Sequence, residues 1–127
     1  MATSHLASLL LHIRRLAEPP AGNERSDGEL LERFAHNRDE AAFELLLHRH
    51  GAMVHNLCRS ILHDSHSADD ALQATFLVLA RKAASIRKRH SVASWLYGVA
   101  YRIALRAKSQ AVRRRLYERQ EIGRAHV

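Results

Sequence analysis

An all-α fold is predicted, a compact bundle of about four helices preceded by a short helix on an N-terminal arm. Three observations predict it. Apolar residues recur with a period near 3.6 through the long segments that follow residue 26. The 127 residues include only five Gly and two Pro, while strong helix formers such as Ala, Leu and Arg abound and β-branched residues are scarce. Each periodic segment is also preceded by a residue able to cap a helix.

Residues 1–17 read as the arm helix, ended by Pro19, Pro20 and the polar stretch 21–25. The first 25 residues are therefore assigned to arm and linker, 26–116 to one helical domain, and 117–127 to the start of a further linker. Ser26 is the expected cap of the first bundle helix, and Asp39 that of a long second helix. On the second helix Phe43, Leu46, Leu47, His50, Val54, Leu57, Cys58 and Ile61 fall on one stripe. Gly51 weakens that helix by about 1 kcal/mol without breaking it. Ser67 followed by Asp70 resembles a capping box for a third helix running to about Ser85. A basic connector, Arg87, Lys88, Arg89 and His90, then leads to Ser91 or Ser94 as the cap of a fourth helix. That helix runs from Trp95 past Arg115.

Charge divides the chain in two. Residues 24–73 hold ten acids and five Lys or Arg; residues 81–119 hold twelve Lys or Arg and one acid, Glu118. The net charge is +7. Such asymmetry suits two different partners, the basic half meeting a phosphate backbone. Cys58 is the only cysteine, so no intrachain disulfide can form, in keeping with a reducing cytoplasm. No apolar run approaches the roughly 18 residues needed to span a bilayer.

Two helix faces invite a functional reading. Opposite the third helix's core stripe of Ala71, Leu72, Thr75, Val78 and Leu79, the sequence places Asp69, Asp70, Gln73, Phe76, Leu77 and Ala80. Either the helix is buried on both sides, or this is a docking face with an apolar centre and acids that select a basic partner. The fourth helix buries Leu96, Val99, Ala100, Ile103, Ala107 and Ala111. It carries Trp95, Arg102, Arg106 and Arg113 on one flank, and Tyr97, Tyr101, Lys108 and Arg115 on the other. These side chains either pack and solubilise, or bind single-stranded nucleic acid, with bases stacked on rings and cations on phosphates.

Enzyme chemistry finds no support: there is no phosphate-cradling Gly loop, no Ser/His/Asp spacing and no paired carboxylates at a pocket. No cofactor is expected. Ten histidines raise the question of metal, but His63/His66 and His48/His50 lack further ligands at a recognised spacing. His50 reads instead as a packed histidine.

Four blocks, in order, resemble a known family. Asp64, then Ser67 through Leu77 (SADDALQATFL), is similar to the D…AED..Q.TFL signature of region 2 in bacterial sigma-70-type initiation factors. Trp95 through Arg102 (WLYGVAYR) resembles the following WL..(I/V)A..N segment. The opening patterns LL..F and AF..L..RH are matched by residues 29–34 and 42–50. The likeness is strongest to the extracytoplasmic-function (ECF) branch, particularly its planctomycete-like members, and covers about residues 26–116.

The resemblance implies a transcription initiation factor. Asp69, Asp70 and Gln73, with Phe76 and Leu77 as apolar contacts, would dock on the clamp helices of the largest β-type subunit of core RNA polymerase. Arg87, Lys88, Arg89, His90 and Trp95 would open the promoter and capture a flipped non-template base of the minus-ten element. Tyr97, Tyr101, Arg102 and Arg106 would make further base or backbone contacts. An anti-sigma factor is a further partner the resemblance admits. Arg102 stands where the family often has Asn, and Leu105 and Arg106 replace a more polar pair, which bears on the base preferred. The family's second domain, a helix-turn-helix that reads the minus-thirty-five element, has no counterpart in these residues, so the chain is expected to be truncated before it. Residues 121–127 (EIGRAHV) resemble a translated sequencing-adapter read-through. The competing expectation is a generic basic helical module that coats nucleic acid without polymerase.

Overall fold

Ser26 starts the first helix by accepting a hydrogen bond from the Glu29 N–H at 3.2 Å on its Oγ, which satisfies one of the backbone donors that every helix start leaves open. The computed structural model describes residues 24–87 and 91–125. The arm helix expected over residues 1–17 lies outside them. Four α-helices follow one another: α1 (Asp27–Asn37), α2 (Glu40–Leu62), α3 (Ser65–Lys82) and α4 (Val92–Ala125), with a 3-10 turn, Ala83–Ser85, after α3. No strand occurs among the described residues. This is the all-α bundle the sequence predicts.

Each boundary has a local cause. Asp39 caps α2 through Oδ1, which accepts from the N–H groups of Ala41 and Ala42. Between α1 and α2 a single residue, Arg38, turns the chain in the left-handed region at φ 50°. Its guanidinium lies 4.9 Å from the centre of the Phe34 ring and donates to the Ala80 carbonyl at 3.0 Å. A non-glycine residue in that region is strained; here its side chain ties the first turn to the end of α3. The cap of α3 differs from the sequence expectation. Asp64, not Ser67, is the N-cap: its Oδ2 accepts from both the N–H (2.9 Å) and the hydroxyl (2.6 Å) of Ser67. Ser67 is thus the recipient of the cap rather than its source. α3 also ends at Lys82, and the 3-10 turn covers the remainder to Ser85. Ser91 caps α4, accepting from the Ser94 N–H at 3.3 Å.

The core sits where α2 crosses α1, α3 and α4. Leu46, Leu47, Val54 and Cys58 of α2 are fully buried, against Leu30 of α1, Phe76 and Leu79 of α3, and Leu96 and Ala100 of α4. Three rings run through it: Phe34 and Phe43 at 4.8 Å between centroids, then Phe43 and Phe76 edge-to-face at 6.2 Å, geometries that favour aromatic pairs. Burial pushes the Cys58 thiol up to about 11, leaving it un-ionised and a poor nucleophile at neutral pH. On α4 the core stripe is shorter than expected. Ala104 is fully buried, whereas Ala107 and Ala111 are only half-buried and residues 112–121 are exposed. At 34 residues, about 50 Å, α4 outruns the bundle it packs against.

Gly51 lies inside α2 without breaking it, and a methyl group added there would meet nothing within 4 Å. Ala loses less backbone freedom on folding than Gly. Gly51→Ala should therefore raise stability by about 0.5–1 kcal/mol, seen as a higher urea midpoint. A lower midpoint would mean that space is occupied.

Candidate protein- and nucleic-acid-binding faces

The candidate docking residues on α3 separate once packing is known. Phe76 is fully buried and forms part of the aromatic core, so it is not an apolar contact for a partner. The buried arc of α3 (Ala68, Ala71, Leu72, Thr75, Phe76 and Leu79) is broad enough to take it in. Leu77 is half-buried and packs against the core edge. Asp69 is also half-buried, with Oδ1 2.9 Å from His55 Nε2 of α2. Asp70 is exposed and Gln73 half-exposed. Of the five expected residues, Asp70 and Gln73 with the outer edges of Asp69 and Leu77 form the surface a partner can reach.

Asp70 also faces a groove that sequence reading missed. About 660 Å³ in volume, it runs between the α2–α3 junction and the outer half of α4. Ile61, Ala74, Ile103 and Ala107 line it, with Asp64 and Asp70 on one side and Lys108, Arg114 and Arg115 on the other. No local pattern could have shown it, because one wall comes from Ile61 to Ala74 and the other from Ile103 to Arg115, segments far apart in the chain. The Ser67 hydroxyl, and then its backbone N–H, hold the Asp64 carboxyl below the usual carboxylate range. A lowered folded-state pKa contributes stability above the unfolded value, about 3.9, which is lost as pH falls through the folded value. The gap in urea midpoint between the native chain and Asp64→Ala should thus be steady from neutral pH to about pH 5 and close below about pH 4. A gap independent of pH would place the effect elsewhere.

The second face is built by α4. Tyr97 and Tyr101 are 50% and 45% exposed, presenting ring faces that a base can stack on. Arg102 and Arg106 are exposed. The Arg102 guanidinium folds back along the helix: a side chain at Gly98 would meet its Nη1 at 3.5 Å. Trp95 is half-buried and packs against the core, so it is both a structural residue and a partly open ring. Arg87 is exposed at the end of the segment leading from α3. Lys88, Arg89 and His90 lie outside the described residues. The two flanks read from the sequence therefore belong to one solvent-facing side of α4, on the same bundle as the acidic edge of α3.

Asp27 also joins two elements unforeseen in the sequence. Oδ1 accepts from Arg49 at 3.0 Å and Oδ2 lies 2.7 Å from His50 Nε2, pinning the first turn of α1 to the middle of α2. His50 is accordingly a half-buried, partnered histidine at the edge of the core stripe. Among the described residues no three His, Cys, Asp or Glu side chains come together as a metal site, and no helix is long and apolar enough to cross a membrane.

The sigma-70 region 2 family model matches residues 46–115. Two curated relatives, each named ECF RNA polymerase sigma factor SigM and from two strains of Mycobacterium tuberculosis, are 42% and 40% identical over 77 residues. That alignment covers 61% of this chain and 39% of each relative, so the chain matches about two fifths of their length. No solved structure gives a significant match. The region 2 match takes in most of α2, α3, the connector and the bundled part of α4, and it spans more than half of the chain: the protein belongs to the sigma-70 family, through its region 2.

Proposed function

We propose that residues 26–116 act as the region of a transcription initiation factor that holds core RNA polymerase with α3 and opens the promoter minus-ten element with the connector and α4. The observation that carries this reading is one small bundle of this family with a polar edge on α3, exposed Asp70 beside half-exposed Gln73, and an exposed aromatic and basic side on α4. On α3, Asp69, Asp70, Gln73 and Leu77 would face the clamp helices of the largest β-type subunit, the acids selecting a basic partner. On the other side, Arg87, the connector through His90, Trp95, Tyr97, Tyr101, Arg102 and Arg106 would hold unpaired non-template DNA. Unstacking a base costs a few kcal/mol, which stacking on the rings and phosphate contacts must offset. The role is one of binding, with no catalytic step assigned to the chain, and its place is the cytoplasm, where polymerase works.

Retention on core RNA polymerase tests it. Asp70→Lys should weaken retention by about tenfold or more, since it sets a cation against a basic surface. Gln73→Ala should weaken it less. Both positions reach solvent, so helical circular dichroism should not change. Asp69→Lys is a poorer probe, because it also breaks the half-buried contact with His55. If the native chain is not retained, or Asp70→Lys is retained equally well, α3 is not the docking element and a polymerase-independent nucleic-acid module becomes the better reading.

A further inference from the structure

Asp69 stands at the border where burial on α3 stops. Around the helix, buried Phe76 lies about 20° to one side of it, while the partly exposed Gln73 and Leu77 lie about 40° and 80° to the other. Asp69, Gln73 and Leu77 thus follow one another a turn apart, along the surface a partner can reach. An Asp at such a border can turn its carboxylate out to water or in against the neighbouring helix. His55 of α2 decides which: its Nε2 lies 2.9 Å from Asp69 Oδ1, and the two side chains are 17% and 30% exposed. A carboxylate offers only lone pairs, so Nε2 carries the hydrogen and donates it.

Stability alone gives little reason for this pair. Apolar side chains of like shape in place of two polar partners are often neutral or stabilising, and α2 and α3 already meet through Val54, Cys58, Phe76 and Leu79 in the core. What the pair does that apolar packing cannot is keep a charged oxygen at a set place on the edge of α3. We propose that His55 is a positioning residue, which holds the Asp69 carboxylate in line with Gln73 and Leu77 so that a basic partner meets an acid already in place. The proposal rests on the reading of α3 as the polymerase-docking element, and goes beyond it by giving α2 a share in that face. The effect of His55 passes through Asp69. A side chain ordered before binding need not be ordered on contact, which strengthens association without any new contact.

Titration of the labelled full chain with core RNA polymerase, followed by fluorescence anisotropy, tests the proposal. His55→Ala should weaken binding about threefold or more. His55→Phe, which fills the space without offering a donor, should do the same. His55→Gln should bind within about twofold of the native chain, because its amide N–H can stand in for that of the imidazole Nε2. Asp69→Ala should weaken binding about tenfold, and adding His55→Ala to it should change binding by less than about twofold, since nothing is left to position. A residue that only holds the bundle together would weaken binding in both backgrounds, and Gln would not restore it. Circular dichroism at the assay temperature identifies the folded variants, and His55→Phe decides the matter if the cavity left by Ala unfolds the chain. Native-like binding by all the His55 variants while Asp70→Lys binds weakly overturns the proposal and leaves the docking reading standing. So does an equal loss from His55→Ala with and without the Asp69 carboxylate, or a loss that Gln does not restore. If the native chain does not bind core polymerase, or Asp70→Lys binds as well as the native chain, the docking reading falls and the proposal with it.

Discussion

Phe76→Ala should destabilise the bundle by about 3–5 kcal/mol, the largest stability effect expected of any single substitution on α3. Phe76 is fully buried and meets Phe43 edge-to-face, so truncation removes its transfer free energy and leaves a cavity between α2 and α3. Domains of this size are stable by about 5–15 kcal/mol, and the variant should therefore unfold at a far lower urea concentration, with partial loss of helical signal at 37 °C. The result discriminates between two roles that the sequence left open. A docking residue would lose partner binding at unchanged stability; a core residue loses stability first. An unchanged urea midpoint would return Phe76 to the binding surface.

On the DNA side, Trp95→Ala should lower affinity for single-stranded non-template oligonucleotide by about 1–3 kcal/mol, the range for one lost base stack, and narrow the preference over duplex of the same sequence. Trp95 also packs against the core, so its variant must be shown to be folded. Tyr97→Ala, at an exposed position, provides the second reading free of that complication. Arg106→Ala should act differently, weakening all sequences and duplex alike and reducing the salt slope by about one phosphate contact. Anisotropy on matched oligonucleotides across a salt series, with core polymerase present, separates the two effects. Equal binding of single strand and duplex, unmoved by Trp95→Ala and Tyr97→Ala, would leave only a generic basic surface.

The sequence by itself determined the helices, because what makes a helix acts within a few residues. The period of Phe43, Leu46, Leu47 and Val54, and the caps at Ser26 and Asp39, are local facts. They appear in the structure as written. The family was legible for a related reason: its blocks are contiguous, and α3 and the start of α4 each hold one. Caps were legible only as a choice of candidates. Asp64 and Ser67 both suit a helix start, and the hydroxyl of Ser67 donates to Asp64 rather than capping on its own.

Only the tertiary structure decided which of the candidate contacts are open. Asp69, Asp70, Gln73, Phe76 and Leu77 are near neighbours in sequence, but α3 packs against both α2 and α4. The width of that double contact, not the period of α3, sets where burial stops. It takes in Phe76, leaves Asp70 outside, and brings His55 from α2 onto Asp69. On α4 full burial ends at Ala104, and Ala107 and Ala111 beyond it are only half-buried. The positions in register with that stripe further along are the exposed Arg114 and Glu118, while Leu105, Val112 and Leu116 lie on the opposite, solvent-facing side of the helix. A periodic stripe states that a face is apolar; whether another element covers it depends on the length and crossing of helices distant in the chain.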